Sequence, residues 1–347
     1  MSETELKETD ATQRETRARK PTITDVAKAA GVSAAAVSYV LNGRLTEVSA
    51  STAERILEKV RELGYVKNLA AAALTGQRSR MIAVIIPSLY DPQTMDAEPP
   101  INPFYGQLLI RLEHEARSRG YTVCFYTGRE EESVQFLLQR NMDAAVLVGF
   151  SEWDLPNLLK NPGIRCVLFD SHKHAPEHGH VRTNEQKGGY LSAERLIDIG
   201  RRRLLFVGPR PLPDSDNVPS ERYRGVVRAC ELVGVNIEAL EVSVSYDAGL
   251  YAAQKVVDMA VDGVVTTADI IAAGLIDGLA RLGRSVPGDV AVMGYDNLPI
   301  CQYTRPQISS IDQGLREKVQ AVMDLVENPE PGAVRIIDPT RVLRQSA

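Results

Sequence analysis

From Met81 onward the chain alternates short apolar runs with amphipathic stretches. MIAVII from Met81, YTVCFY from Tyr121, AAVLV from Ala144, CVLF from Cys166, LLFV from Leu204, GVVTT from Gly263 and VAVMG from Val290 all have the length of buried strands. Between them, stretches such as FYGQLLIRLEHEARSRG and GGYLSAERLIDIG repeat apolar residues at i, i+3/i+4 and i+7. They end at Gly120 and Gly200, where a helix C-terminus calls for a left-handed residue. Strands alternating with helices predict parallel sheets covered on both faces. The length suits two such sheets with a cleft between them.

Before Arg80 the pattern is different. Short helical segments crowd together, broken at Gly31, Gly43 and Gly64, with no strand-like run. In TITDVAKAAGVSAAAVSYVLNG, Thr24 is read as the cap of a helix carrying Asp25 in its first turn. Val26, Ala29 and Ala30 form its inner face, Gly31 makes the turn, Val32 fills the corner and Ser33 caps the next helix. Val37, Val40 and Leu41 then recur at helical spacing. Two helices joined in this way make a helix-turn-helix, whose second helix can enter a major groove. A third helix follows, with Ser49 as cap and Ile56, Val60 and Leu63 facing inward. A plain three-helix bundle is the alternative reading of this pattern alone.

Charge sharpens the division. The net charge is −5, yet Arg17 to Arg80 holds eleven Lys/Arg against five acids, a balance of +6. The preceding residues carry −3 and the rest of the chain −8. A small basic module in front of a larger acidic one suits a DNA-reading head, since phosphate binding needs only a local basic face. The first sixteen residues are polar and mixed in charge, as in a disordered tail. Four widely spaced cysteines, Cys124, Cys166, Cys230 and Cys301, form no Cys-x-x-Cys pair and fit a reducing cytoplasm. No early apolar run resembles a signal peptide, and no stretch could span a bilayer.

The residues T-I-T-D-V-A-K-A-A-G-V-S, V-S-Y-V-L-N-G and E-L-G-Y closely resemble the lactose/galactose repressor family. So do N-P-F-Y at 102–105, G-G-Y-L at 188–191, I-G-R-R-R at 199–203, R-Y-R-G at 222–225, V-P-G-D-V-A-V-M-G-Y-D-N at 286–297 and R-P-Q-I-S-S-I from Arg305. The resemblance implies an α-helical helix-turn-helix headpiece plus an α/β periplasmic-binding-protein-like type I domain of two parallel-sheet subdomains. It divides the chain into a tail (1–20), a DNA-binding domain (21–67), a hinge (68–80) and an effector-binding and dimerisation domain (81–347). It further implies a homodimeric repressor on a palindromic double-stranded operator, controlled by a small-molecule effector, with no cofactor and no membrane partner.

Carried over by position, base reading falls on Ala34, Ala35 and Tyr39. Ser33, Ser38 and Asn42 match residues that contact phosphate or cap the helix, and Thr24 belongs to the same face. Leu74 matches the leucine that wedges into the central base step. Ala34 and Ala35 lack hydrogen-bonding groups, so they offer only close approach and apolar contact. Tyr39 replaces the family's frequent Arg or His, Lys67 its proline and Ala72 its arginine.

For the effector, the resemblance points to Asp170, Arg222 and Asp296 at strand ends and a helix start, with Asp269 beside them and Phe104 and Tyr105 as stacking walls. Asp170 and Asp296 also fit simple capping roles, and Arg222 a structural ion pair. The family's Asn-Asp pair reads Ala268-Asp269 here, and the loop from Ser88 to Ile101 is longer than usual. A sugar is favoured over a nucleobase or other metabolite. Four of five histidines lie in SHKHAPEHGH, read as an exposed loop rather than a metal site, and Trp153 as packing near a helix start. Against an enzyme, the sequence holds no G-x-S-x-G elbow, P-loop, G-x-G-x-x-G fingerprint or His-Glu-x-x-His motif. A free solute-binding protein would need a signal peptide and no DNA-reading head.

Overall fold

The computed structural model describes residues 21–66, 79–86, 102–127, 130–149, 165–171 and 175–347. The tail before residue 21, the hinge from 68 to 78 with Leu74, the loop from Ser88 to Ile101, Trp153, His172 and His174 lie outside the described residues. The chain divides into two compact units, Met1–Gln77 and Arg78–Ala347.

In the first unit, α1 (Ile23–Ala30), α2 (Ala34–Leu41) and α3 (Ala50–Glu62) enclose Val26, Ala27, Ala30, Val37, Val40, Ala53 and Ile56. The cap of α1 is Thr22, not Thr24. Asp25 stands three residues after Thr22, so its carboxylate accepts from the Thr22 N–H at 2.8 Å while Thr22 Oγ1 accepts from the Asp25 N–H. That reciprocal pair is available only at this spacing. Thr24 sits exposed in the first turn. Ala29 is also exposed and Ala27 takes its inward place, while Leu63, just past the end of α3, is 39% exposed. Gly31 ends α1 at φ 62°, a left-handed turn that costs a glycine little. Ser33 and Ser49 cap α2 and α3 as their positions imply.

The second unit contains two six-stranded sheets. One is ordered β11-β5-β4-β3-β1-β2, with β1 (Met81–Ile86), β2 (Thr122–Thr127), β3 (Ala144–Val148), β4 (Cys166–Phe169), β5 (Gly179–Thr183) and β11 (Val334–Ile337), all parallel. The other is β12-β10-β9-β8-β6-β7, with β6 (Arg203–Gly208), β7 (Asn236–Glu241), β8 (Gly263–Thr266), β9 (Ala291–Tyr295), β10 (Ser309–Asp312) and β12 (Thr340–Val342). Only β12 runs antiparallel to its neighbour. The chain leaves the first sheet after β5, returns through α11 (Leu315–Glu327) to β11, and ends in the second.

Helices α4 (Pro103–Ser118) and α5 (Glu130–Gln139) belong to the first half. Helices α6 (Glu185–Asp198), α7 (Val218–Glu231), α8 (Tyr246–Asp258), α9 (Asp269–Arg281) and the short α10 (Ile300–Tyr303) belong to the second. Leu315, Val319, Val322 and Val326 of α11 join Val84, Val146 and Phe169 in the core of the first half. Helices α6 and α7 approach backbone to backbone. A Cβ on Gly189 would lie 1.9 Å from the Arg222 carbonyl oxygen, and one on Gly225 1.9 Å from that of Gln186. This contact brings Arg222 opposite Glu185.

Among the described residues, strands β5, β7, β10, β11 and β12 carry no strong apolar run. The SHKHAPEHGH segment is not simply an exposed loop, because His178 and His180 are buried and β5 begins at Gly179. His180 Nε2 lies 3.0 Å from the Ala175 carbonyl. Among the described residues no group of side chains is placed to hold a metal ion, and no helix is long and apolar enough to cross a membrane.

Candidate functional sites: a DNA-reading face and a ligand cleft

On α2 the side chains that fill the head's core, Val37 and Val40, leave Ala34 and Ala35 exposed and Ser38 and Tyr39 half-exposed. Ser33 Oγ accepts from the Ala36 N–H at 3.2 Å, leaving the first N–H groups of the helix open to an anion. At the other end the Asn42 amide donates to the Ser38 carbonyl at 2.8 Å and to its hydroxyl at 3.2 Å. Asn42 therefore holds the C-terminal turn. The exposed surface combines methyl groups, one phenol and two small polar side chains, which suits close approach to a groove.

In the second unit a cavity of about 290 Å³ opens between the carboxyl ends of the two sheets. Phe104, Tyr105 and Asp170 line it from the first half, and Arg222, Thr267, Ala268 and Asp296 from the second, with Gln313 between. Asn102 caps α4 by accepting from the Phe104 N–H at 3.0 Å, so both aromatic residues sit on a rigid first turn. Their rings meet edge to face at 5.8 Å. Asp170 and Asp296 follow β4 and β9 with φ of 48° and 107°. Both values lie in the left-handed region, which aspartate tolerates better than most residues and which suits a sharp turn at the end of a strand. Here the Asp170 N–H donates to Val181 O and the Asp296 N–H to Ile311 O, extending each ladder through the turn.

Arg222 forms a structural ion pair and also lines the cavity. It donates from Nε to Glu185 Oε2 at 2.6 Å, from Nη2 to Oε1 at 3.2 Å and from Nη1 to the Thr267 carbonyl at 2.7 Å. Its guanidinium lies 3.6 Å from the Tyr295 ring centre, and the Tyr295 hydroxyl donates to Glu185 at 2.7 Å. A guanidinium has five N–H donors, and these three bonds leave two of them for other partners on a residue that lines the cavity. Burial pushes the Glu185 carboxyl upward, but Arg222 overrides this and holds it below the usual range. Burial pushes Asp296 well above the usual range, with Arg222 opposing. Tyr105 is raised by burial and then by the charges of Asp170 and Asp296.

Asp269 is not brought to the cavity. It is wholly buried, accepting from the Ser310 hydroxyl at 2.6 Å and from the Leu298 N–H at 2.7 Å. Its carboxylate anchors the turn that carries Asp296, a structural task. Gln313, Glu185, Tyr295, Thr267 and Lys318 belong to the site or its support without having been singled out in the sequence. Only Lys318 left a signal there: it interrupts the inward stripe of α11 at helical spacing from Leu315 and Val322.

Residues 22–68 match the family model of bacterial regulatory proteins of the lacI family, and residues 193–347 that of a periplasmic binding protein-like domain. The transcriptional regulator CelR of Thermobifida fusca is 29% identical over 344 residues, covering 94% of this chain and 98% of the relative. The transcriptional regulator GntR of Pseudomonas aeruginosa is 30% identical over 304 residues, covering 84% of each. A CelR–cellobiose complex aligns with TM-score 0.66 at 26% identity, over 94% of this chain and all of that one. The lac repressor dimer bound to operator and an anti-inducer shares the fold, with TM-score 0.76 at 21% identity over 94% and 99% of the two chains. With a helix-turn-helix head, a two-sheet domain and relatives matched along nearly their whole length, the chain belongs to the LacI family and is a DNA-binding transcriptional regulator, not an enzyme.

Proposed function

We propose that the protein is a cytoplasmic, homodimeric repressor that binds a two-fold symmetric operator and changes its affinity when a sugar enters the cavity. The observation that carries this reading is the cavity's polar pattern: two unengaged Arg222 N–H groups, the Asp296 carboxyl and the Gln313 amide, facing a wall of Phe104 and Tyr105. Fixed donors and acceptors on one side of an apolar wall suit a polyol ring. A relative of the same family has been captured with cellobiose.

On the head, Ala34, Ala35 and Tyr39 read bases, while Thr24, Ser33, Ser38 and Asn42 position the helix on phosphate. The hinge, 68–80, is too short to hold a helix alone, so that pairing with the second copy and insertion of Leu74 into DNA complete it. Exposed Ile110, Tyr251 and Tyr303 offer apolar surface to that second copy. An effector shifts operator affinity only by binding the two hinge arrangements unequally.

The test is selection of sites from random duplexes, then retention assays with D-glucose, cellobiose, D-ribose and adenine. Symmetric sites and a sugar-dependent change in affinity are expected. Asymmetric sites overturn the dimeric reading; a response to adenine alone overturns the sugar. Leu74→Ala is expected to bind the selected site weakly and bend it less, with sugar binding unchanged.

A further inference from the structure

Lys318 is a wholly buried cation on α11, surrounded in sequence by the core residues Leu315, Val319 and Val322. An ammonium has three donors and no acceptor, and a buried one left unmatched is strongly unfavourable. Here all three donors are engaged, by Asp170 Oδ2 at 2.6 Å, Gln313 Oε1 at 2.5 Å and Thr183 Oγ1 at 3.0 Å. The Phe169 ring lies 4.4 Å away and adds its negative face.

This arrangement reaches the cavity in two ways. The charge of Asp170 is matched before any ligand enters. Gln313 can meet Lys318 only with its oxygen, so its amide nitrogen turns the other way and donates to Asp296 Oδ1 at 2.6 Å. Arg222 is matched by Glu185, and Asp216 at the cavity mouth by Arg224 at 3.2 Å. Among the described residues Asp296 alone of the cavity's carboxylates has no ion-pair partner; burial holds its carboxyl well above the usual range, toward the uncharged form, and the Gln313 amide donates to one of its oxygens.

We propose that Lys318 decides the charge class of the effector: by cancelling Asp170 and directing Gln313 onto Asp296, it sets the cavity for an uncharged, hydroxyl-bearing molecule. This rests on the effector reading above. Without Lys318, Asp170 is an unmatched carboxylate beside the ligand and recruits a cation. Without Asp170, the Lys318 ammonium recruits an anion.

Calorimetry on the full chain at mildly acidic pH, with D-glucose, D-glucosamine and D-glucuronate and the corresponding galactose series, tests this. Wild type is expected to prefer the uncharged member. Lys318→Met is expected to gain at least about tenfold for the amino sugar, from the unscreened attraction of a close charge pair. The Asp170→Asn/Lys318→Met double variant should lose that gain. Asp170→Asn alone should gain affinity for the uronate, which keeps the idea testable if Lys318→Met does not fold. Equal changes for charged and uncharged probes, or none, would overturn the role of Lys318. If wild type binds no uncharged sugar, the sugar reading fails, while gains of opposite sign in the two single variants still support the charge rule and their absence still overturns it.

Discussion

The Arg222 guanidinium is clamped edge-on by the Glu185 carboxylate, with both residues buried and the Tyr295 ring lying across the pair. The arginine that faces the ligand cavity is therefore also the counter-charge of a buried acid. Arg222→Ala leaves Glu185 uncompensated and should cost about 3–5 kcal/mol of stability. Glu185→Gln/Arg222→Met, which removes both charges together and keeps an acceptor for Tyr295, should recover much of that loss. Neither variant should respond to effector. Urea denaturation of wild type, Glu185→Gln, Arg222→Met and the double variant gives the cycle; additive losses would show that the two residues do not act as a pair.

Asp296 faces the cavity from a left-handed turn, with its backbone N–H already spent on Ile311. Asp296→Asn keeps the size of the side chain and an oxygen for Gln313, so the fold and operator affinity should survive. Effector affinity should drop by about tenfold or more, because an amide nitrogen replaces a carboxyl oxygen that faces the cavity and leaves a ligand hydroxyl unmatched. Retention of wild-type effector affinity in calorimetry would make Asp296 a turn residue only.

Gly189 passes Arg222 at backbone distance. Gly189→Ala must push α6 and α7 apart, at a cost of about 3 kcal/mol, near the upper end for overpacking. Because the separation moves Arg222 away from Glu185, effector binding should weaken together with stability. An alanine variant with wild-type melting behaviour would contradict the close crossing.

Asp269 has its carboxyl pushed to about 6 by burial, with the hydrogen bonds from Ser310 and Leu298 opposing. The folded chain thus holds that proton more tightly than the unfolded chain, whose carboxyl titrates near the ordinary value of 3.8. The contribution to stability is fullest below about pH 4 and is lost as pH rises through about 6. The melting temperature of Asp269→Asn, compared with wild type, should improve as pH is raised across that window. A difference that stays flat from pH 4 to 7 would contradict the assignment.

Tyr39 is half-exposed on α2, one residue from the core position Val40. Tyr39→Ala should change the bases selected at one position of each half-site, by about 1–3 kcal/mol of discrimination. A uniform drop on all duplexes, with the selected sequence unchanged, would make it a backbone contact.

What the sequence determined by itself is the part encoded locally. The runs at Met81, Ala144, Cys166, Leu204, Gly263 and Val290 are apolar on both faces because parallel strands buried between helices touch no water. Gly31, Ser33 and Ser49 mark helix ends through their own backbone and hydroxyl chemistry. Asp170, Arg222 and Asp296, which line the cavity, are singled out by the family resemblance, and the two aspartates also by their place at strand ends.

Tertiary structure decided the rest. Strands β5, β7 and β10–β12 lack a strong apolar run, since they take their place from neighbours rather than from hydrophobicity; the outer strands β7 and β11 are largely exposed. The cap of α1 depended on whether Thr22 or Thr24 had a carboxylate three residues on, and Asp25 settled it for Thr22. Asp269 and Asp296 look alike in sequence, both polar and both just past a strand. One is sealed under Leu298 and Ser310 while the other meets the cavity. Lys318 reads as one lysine in an amphipathic helix. Only the return of α11 to the first sheet places its ammonium against Asp170, 148 residues earlier, where the low-dielectric interior makes that pairing obligatory.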